Sequence, residues 1–564
     1  MTTQASARRP RLAFSEQFQP KLLTVLREGY RARDLIPDAL AGVTVAIVAL
    51  PLSMAIAIAS GLPPQHGLFA AIVGGFLVSA LGGSRFQVGG PAGAFIVLVG
   101  AAVADIGVAG MLLATILSGA MLAGAGLFRL GTYIKFIPYP VTVGFTAGIA
   151  VIILVSQLPA LLGLSMASEG SEVIERLVHV QAALGTLTPA AVGLSLGTIA
   201  VIQGLKRLAP RAPGMLIAIG LAALAAALGG LPVETVASRF GDLPRALPAP
   251  SLPPVDAALL LAALPYAFSF ALLGAIESLL SAVVADGMTG RRHRSNAELV
   301  AQGIANIAAG FFGGMCVTGT IARTATNVRA GSRGPVSGML HALFLALTLA
   351  AAAPLAGHIP LAALAGVLAV VAWNMAERAE FAALLRASRG DAVVLLATFL
   401  LTVFRDLTAG IVAGFALGGL IFIKRMADAA RVESRGPLVP GDRADETAPY
   451  DPSEAGDEGI VVYRIKGAFF FGAAASIGAV LERIADGART FVLDLSEVPF
   501  IDSSGARVIA GLARRSERRG IRVCLTGWTP EMRDTLERVG AKGSGISYMR
   551  DVGQALDAAR ATES

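Results

Sequence analysis

Two ionisable side chains stand where ionisable side chains are costly. Glu277 is the only charged residue in the 29 residues from 257 to 285, within the run LLGAIESLLSAVV. Ser281, four residues on, shares its helix face. A lone carboxyl in a low-dielectric setting can carry a proton at moderate pH, or hold Na+ when ionised, and such residues usually serve transport. The structural alternative is an acid that hydrogen-bonds neighbouring helices. Arg323 lies four residues beyond Gly319, in MCVTGTIARTATNVRA. It can offer a full positive charge to an anionic substrate. The competing reading is a side chain that snorkels to the surface beside Arg329 and Arg333. Arg323 is expected to lie deeper than either.

The surrounding segments suggest what these two residues serve. FQVGGPAGAFIVLVG (86–100) and the segment 315–330 are too short and too glycine-rich to cross a bilayer alone. Each reads as an extended piece followed by a half-helix, and each is third in a similar order of spans. One set begins at Asp38 and the other at Ala257. Interrupted segments at matching places in two halves point to a transporter binding site. The first amides of a helix lack internal partners and carry partial positive charge, so two facing half-helix starts make an anion site. Ala92, Gly93 and Ala94 would open the first half-helix after Pro91. Thr320, Ile321, Ala322 and Arg323 would open the second. Their small side chains let a substrate approach the backbone, and Thr320 adds a hydroxyl. The alternative is a pair of glycine-rich packing helices.

These segments need a membrane around them, and the composition supplies one. Of 564 residues, 55% are hydrophobic and 15% charged, against about 25% charged in a soluble domain. This excludes a disordered, fibrous or ordinary cytosolic chain. Two distant cysteines, Cys316 and Cys524, and five histidines leave no disulfide framework or cysteine-rich metal site. Neither a phosphate-binding loop nor a nucleophile–base set is visible in the spans, so the chain does not read as an enzyme. No cofactor is implied.

Candidate spans are 38–60, 66–82, 88–104, 107–128, 138–162, 189–206, 213–231, 257–285, 297–314, 320–330, 336–355, 360–374, 391–404 and 408–424. Seven spans per half would invert one half relative to the other. With the N-terminus cytoplasmic, inner loops hold sixteen basic residues, among them Arg85, Lys135, Arg211, Arg378 and Arg425. Outer loops hold only Arg176, Arg239, Arg245 and Arg405. That bias predicts a multi-pass inner (plasma) membrane protein with both termini inside. It also accounts for the net charge of +7 without nucleic acid. The basic segment 1–37 has no apolar run and reads as a cytoplasmic arm rather than a signal peptide. Glu169, Glu172 and Glu175 read as a solvated loop.

Beyond 424 the composition becomes soluble. Residues 425–457 read as a linker. From 458 to 564 strands and helices alternate, giving a small α/β domain with a βαβ core. IVVYRIK, TFVLDLSEV and IRVCLTG read as strands; SIGAVLERIADG (476–487), SSGARVIAGLARRSERRG and PEMRDTLERVG read as helices. The helix start at Asp502-Ser503-Ser504-Gly505 could bind an anion or take a phosphate, or be an ordinary N-cap.

LAGVTVAIVALPLSMAIA, GGSRFQVGGPAGAF, ALLGAIESLLSAVVADGMTG and GTIARTATNVRAG resemble the SulP anion transporters, relatives of prestin and pendrin. FVLDLSEVPFIDSSGARVI resembles a STAS domain. The nearest branch by this likeness is the bacterial C4-dicarboxylate (fumarate) carriers. The resemblance implies a fourteen-helix, seven-plus-seven inverted repeat (about 38–231 and 257–424) shared with uracil permeases. Its core domain moves against a gate domain, elevator fashion, in a homodimer. It places substrate at Leu52, Ser53, Ile56, Ala92, Gly93 and Gly319 to Arg323, and coupling at Glu277 and Ser281. Sodium–bicarbonate members have Asp and Thr at the last two positions. Glu277 therefore resembles the proton-coupled members and argues for H+ over Na+. Many members carry Gln and an aromatic residue where Leu52 and Ile56 stand, which loosens a chloride- or sulfate-like selectivity. Ser503 matches a serine phosphorylated in anti-sigma-factor antagonists, and the domain implies a cytoplasmic partner.

The expectation is proton-coupled symport of a dicarboxylate such as fumarate. The alternative within the family is a sulfate, bicarbonate or chloride carrier. A nucleobase permease fits Arg323 and the tail less well. A membrane-anchored STAS regulator would not need two broken helices and a central acid.

Overall fold

The computed structural model describes residues 17–133, 138–166, 173–209, 212–405, 407–435, 460–474, 477, 489–541 and 546–561. Arg8, Arg9, Arg11, Lys135, Glu169, Glu172, Arg211 and, apart from Ile477, the helix expected over 476–487 lie outside them. The chain forms two compact units, the first through Phe415 and the second from Ala416.

The first unit is helical. A short helix α1 (Lys21–Arg27) precedes α2 (Ala32–Ala59) and α3 (Pro64–Leu81). The first broken segment follows as β1 (Gly89–Gly90), a 3₁₀ turn (Gly93–Phe95) and α4 (Ile96–Leu127). Gly107 breaks α4 with φ 67° and ψ 179°, at the gap expected between two spans. Then come α5 (Tyr139–Leu162), α6 (Val173–Ala183), α7 (Pro189–Leu208), α8 (Gly214–Gly229) and the short α9 (Val236–Phe240). Next are α10 (Ala257–Thr289) and α11 (Ser295–Phe311), then β2 (Thr318–Gly319) and α12 (Ile321–Arg329), which form the second broken segment. The unit closes with α13 (Val336–Gly357), α14 (Leu361–Met375), α15 (Arg378–Ala387), α16 (Arg389–Phe404) and the start of α17 (Leu407–Ala429). Among the described residues, nine helices are long and apolar enough to span a bilayer.

Packing sorts these helices into two bundles. One joins α2, α3, α4, α10, α11, α12 and α13; the other joins α5, α7, α8, α14 and α16. Small residues let backbones touch, as membrane helix packing requires. A Cβ on Gly119 of α4 would lie 2.5 Å from the Gly303 carbonyl of α11. One on Gly144 of α5 would lie 2.6 Å from the Leu395 carbonyl of α16. In α3 a π turn at Ala70–Gly74 brings Gly74 against Val317, ahead of β2, with only 2.6 Å left for a Cβ. The α1 segment is tied down too. Arg294 Nη1 donates to the Gln19 carbonyl (2.8 Å) and Thr24 Oγ1 (3.1 Å), and Arg85 pairs with Glu28.

The second unit carries one five-stranded sheet in the order β3 (Arg431–Arg435), β4 (Ile460–Lys466), β5 (Thr490–Glu497), β6 (Arg522–Thr526), β7 (Ile546–Tyr548). β3 is antiparallel to β4 and the rest are parallel. The helices are α18 (Ser503–Arg518), α19 (Pro530–Arg538) and α20 (Val552–Arg560). Phe491, Leu493, Leu495, Ile509, Val523 and Leu525 fill the core between sheet and helices. β3 corrects the boundary expected at 458. Its sequence RVESR is polar because an edge strand can be charged without losing its ladder, so it read as linker.

Candidate functional site

The two broken segments meet as an antiparallel pair, with Gly89 opposite Gly319 and Gly90 opposite Thr318. Side chains of the second segment then hold the first. The Thr320 hydroxyl and amide both donate to the Val88 carbonyl (3.2 and 3.1 Å). Thr324 Oγ1 accepts the Val88 amide (3.1 Å), and Asn327 Nδ2 donates to the Phe86 carbonyl (2.9 Å). Arg323 Nη2 donates to Ser53 Oγ (3.0 Å) and the Pro91 carbonyl (3.2 Å), and Nη1 to the Gly89 carbonyl (3.4 Å).

This arrangement revises the expectation for Arg323. It is deep, as expected, at 1% exposure, and it does not snorkel. Its guanidinium is committed to backbone carbonyls, because the extended piece 88–91 has no helical donors of its own and lies within reach. Its charge bears on a ligand through the local field, and its Nε–H, without an acceptor among the described residues, is the donor left over from this clamp. Ser53 is committed likewise: its hydroxyl donates to the Ala49 carbonyl (2.6 Å) and receives Arg323. Leu52 and Ile56 are buried in the main apolar cluster.

What remains open is backbone. Ala92 caps the first half-helix and Thr320 the second. The amides of Gly93, Ala94, Ile321, Ala322 and Arg323 lie too early in their helices for internal acceptors, and none donates elsewhere among the described residues. Ala92, Gly93 and Ile321 are half-buried and Ala322 is exposed. A Cβ on Gly93 would lie 3.4 Å from Ile153 of α5 and 3.5 Å from Met375 of α14. The first half-helix start thus looks toward the second bundle. Five helix-start amides with partial positive charge and no protein acceptor are what an anion site requires.

α10 runs past both segments. Thr318 Oγ1 donates to the Gly274 carbonyl (3.0 Å), Gln87 Nε2 to Ser278 Oγ (2.8 Å), and Ser281 Oγ to Thr324 Oγ1 (3.0 Å). At 100° per residue, 274, 277, 278 and 281 span about 100° of one face. Glu277 therefore stands on the face that meets the broken segments. It is 8% exposed and makes no hydrogen bond or ion pair among the described residues. Ser281 lies where α10 meets α12.

Several residues of the site escaped sequence reasoning. Glu298, fully buried, accepts the Gly83 and Ser84 amides (2.8 and 3.1 Å) on one oxygen. Gln87 Nε2 (2.8 Å) and Gln302 Nε2 (3.1 Å) donate to the other. Asn306 clamps Val317 through the backbone amide (2.9 Å) and carbonyl (2.8 Å). His341 is fully buried beside Gly75. The missed signal was the spacing: Glu298, Gln302 and Asn306 recur every four residues along α11, a polar stripe that must face the interior.

A cavity of about 430 Å³ opens beside the end of α2, between Ala55, Gln157 of α5 and Leu364 of α14. None of the expected substrate residues lines it, although Ala55 and Ile56 are neighbours on α2.

In the second unit, Asp502 Oδ1 accepts the Ser504 and Gly505 amides (2.9 Å each) and its Oδ2 the Phe471 amide (3.0 Å). The carboxylate fills the helix start, so of the alternatives for that turn the structure shows the ordinary N-cap. Ser503 is exposed on the first turn. Asp494 is held below the usual carboxylate range: burial pushes it up, but the Ser496 amide and the Arg464 guanidinium at 2.7 Å outweigh that. Glu28, outside the spans, is lowered by its bond to Arg85.

Residues 35–398 match the model of the sulfate permease family, and residues 452–554 that of the STAS domain. The chain belongs to the sulfate permease family. It is 38% identical to the putative sulfate transporter YvdB of Bacillus subtilis, over 91% of this chain and 95% of that one. It is 31% identical to the bicarbonate transporter BicA of Synechocystis, over 90% and 91%. The structure of murine Slc26a9 shares its fold, with TM-score 0.84 at 20% identity over 100% of this chain and 96% of that one. Members of this family are transporters, so the protein is a multi-pass anion transporter and not an enzyme. The names of these relatives speak of sulfate and bicarbonate. The expectation of a C4-dicarboxylate finds no counterpart in them.

Proposed function

We propose that this protein is a secondary active transporter of a small inorganic oxyanion, sulfate or bicarbonate, coupled to H+. One observation carries the reading: five helix-start amides without protein acceptors, beside residues no larger than alanine at Ala92, Gly93 and Ala322. A compact tetrahedral or planar oxyanion can reach several of them at once. Arg323 sets the positive field and fixes the geometry. Glu277, on the α10 face that meets both segments, loads the proton. Ser281 links that face to α12 through Thr324. The bundle containing the broken segments moves against the other, elevator fashion, along fourteen crossings in a seven-plus-seven repeat. The protein acts as a homodimer with both termini cytoplasmic. Ser503 is a candidate phosphosite through which the STAS domain answers a cytoplasmic partner.

The test is uptake of radiolabelled sulfate, bicarbonate and fumarate by the full chain in proteoliposomes. We expect sulfate or bicarbonate uptake, faster under an inward proton gradient. Glu277→Gln should remove that acceleration. Uptake indifferent to the gradient, with Glu277→Gln as active as wild type, would sink the coupling. Stronger fumarate uptake would return the substrate to the dicarboxylates. A sodium gradient replacing the proton gradient would make the coupling ion Na+.

A further inference from the structure

The second bundle carries a groove that the transport reading does not use. It encloses about 290 Å³ between α5, α14, α15 and α16. Its walls are alanines such as Ala150, with Trp373, Phe381 and Phe399, and Arg378 is the one charged side chain in the lining. Phe381 and Phe399 pack edge to face at 5.4 Å, closing one end with carbon.

Two physical facts decide what fills it. α5 and α14 belong to helices long and apolar enough to cross a bilayer, and the groove between them is walled almost entirely by carbon. In a bilayer an apolar groove is occupied by a hydrocarbon chain of the lipid. The mouth, however, is charged. The Arg378 guanidinium carbon lies over the Trp373 ring, 3.8 Å from its centroid. Stacking uses the π face and leaves the in-plane N–H donors pointing outward. Glu377 and Glu380 are its sequence neighbours, yet neither is within ion-pair distance of it among the described residues. Trp373 is 50% exposed, and tryptophan is enriched at membrane–water interfaces. The amides that start α15 add partial positive charge at the same mouth. A carbon-walled groove ending in a fork of guanidinium donors at the interface matches an acyl chain joined to a phosphate.

We propose that this groove binds one anionic phospholipid, its acyl chain against Ala150, Phe381 and Phe399 and its phosphate on Arg378. The bound lipid has a route to transport. Met375, two residues after Trp373 on the same helix, faces Gly93 at the first half-helix start. A lipid that steadies the end of α14 steadies one wall of the anion site.

The test uses the full chain in nanodiscs of phosphatidylethanolamine with or without phosphatidylglycerol, each lipid carrying a photoreactive acyl chain. Phosphatidylglycerol should label the peptides that contain Trp373, Phe381 and Phe399 more than phosphatidylethanolamine does. Arg378→Gln should lower phosphatidylglycerol labelling roughly fivefold, as expected for one interfacial cation, and phosphatidylethanolamine labelling less, because the ammonium of that lipid offsets its phosphate. Ala150→Phe, which fills the groove, should lower both. Each variant is checked for an unchanged melting temperature and elution volume. Equal labelling by the two lipids with Arg378→Gln inert would overturn the proposal. So would displacement of the lipid by inorganic phosphate alone, or crosslinks that join two protein copies across the groove.

Discussion

The two broken segments share a backbone plan and divide the chemistry unequally. Each has a two-residue strand, then a half-helix, opened by Ala92, Gly93 and Ala94 in the first and by Thr320, Ile321 and Ala322 in the second. The first contributes bare backbone along 88–91 and a single hydrogen-bonding side chain, Gln87. The second contributes Thr320, Arg323, Thr324 and Asn327, all of which bond backbone of the first. The first segment is therefore the held element and the second the holder. A pseudo-symmetric pair in a membrane needs this asymmetry, because an extended stretch exposes peptide groups that neither helix nor water can satisfy.

The largest effect should come from removing the holder's cation. Arg323→Met keeps much of the volume but strands the Gly89 and Pro91 carbonyls. We expect transport to be lost and the membrane unit to lose about 3 kcal/mol, since each orphaned buried group costs about 1–3 kcal/mol. Thermal unfolding in detergent and uptake, measured on the same preparation, check it. A fully stable variant that merely binds substrate weakly would place the guanidinium on the substrate and break the holder–held comparison.

Gly319→Ala comes next. A Cβ there would lie 1.9 Å from Gln87 Nε2 and 2.3 Å from its Cδ. Gln87 cannot yield freely, because it is bonded to Ser278 and Glu298. Its withdrawal would leave Glu298 short of a donor, so we expect a cost of about 2–3 kcal/mol. Glu298→Gln in the same background should not add fully to that loss, because both changes strike one network. Additive losses, read from unfolding midpoints, would show that Gln87 and Glu298 act separately.

The hydroxyl link between α10 and α12 is worth less. Thr324→Val leaves the Val88 amide without its acceptor and the Ser281 hydroxyl without its partner, for about 2 kcal/mol. Ser281→Ala removes only a donor, and Thr324 still accepts Val88; about half that loss is expected. Equal losses for the two variants would mean that Val88 does not depend on Thr324.

How much of this was legible beforehand depends on what each residue's type betrays. Glu277, Arg323 and the glycine-rich interruptions stood out because charge and glycine are rare in apolar spans. The start at Pro189 followed from proline, whereas α10 runs past the expected 285 to Thr289 before Gly290 ends it. The direction of the Arg323 side chain was not legible: a buried cation must find acceptors, but sequence does not say whether they come from ligand or backbone. Glu298 was passed over because a charge near the loop Arg291–Arg294 reads as surface, and only its contacts with Gly83 and Ser84, more than two hundred residues away, show it to be internal. β3 hid in polar residues that an edge strand tolerates.

Gly93→Ala is the mildest change and tests the held segment alone. Its Cβ would meet Ile153 at 3.4 Å and Met375 at 3.5 Å, ordinary contacts that need no rearrangement. Stability should therefore stay within about 0.5 kcal/mol of wild type. The new methyl nevertheless stands beside amides that must reach an anion. Losing close approach to one or two charge-assisted hydrogen bonds should lower uptake about tenfold, or about 1.4 kcal/mol. The effect should appear as weaker substrate affinity at unchanged melting temperature, the opposite of the pattern expected for Gly319→Ala. If Gly93→Ala instead melts early and binds normally, the first segment carries structural weight of its own, and the division into holder and held fails at the site where it matters most for transport.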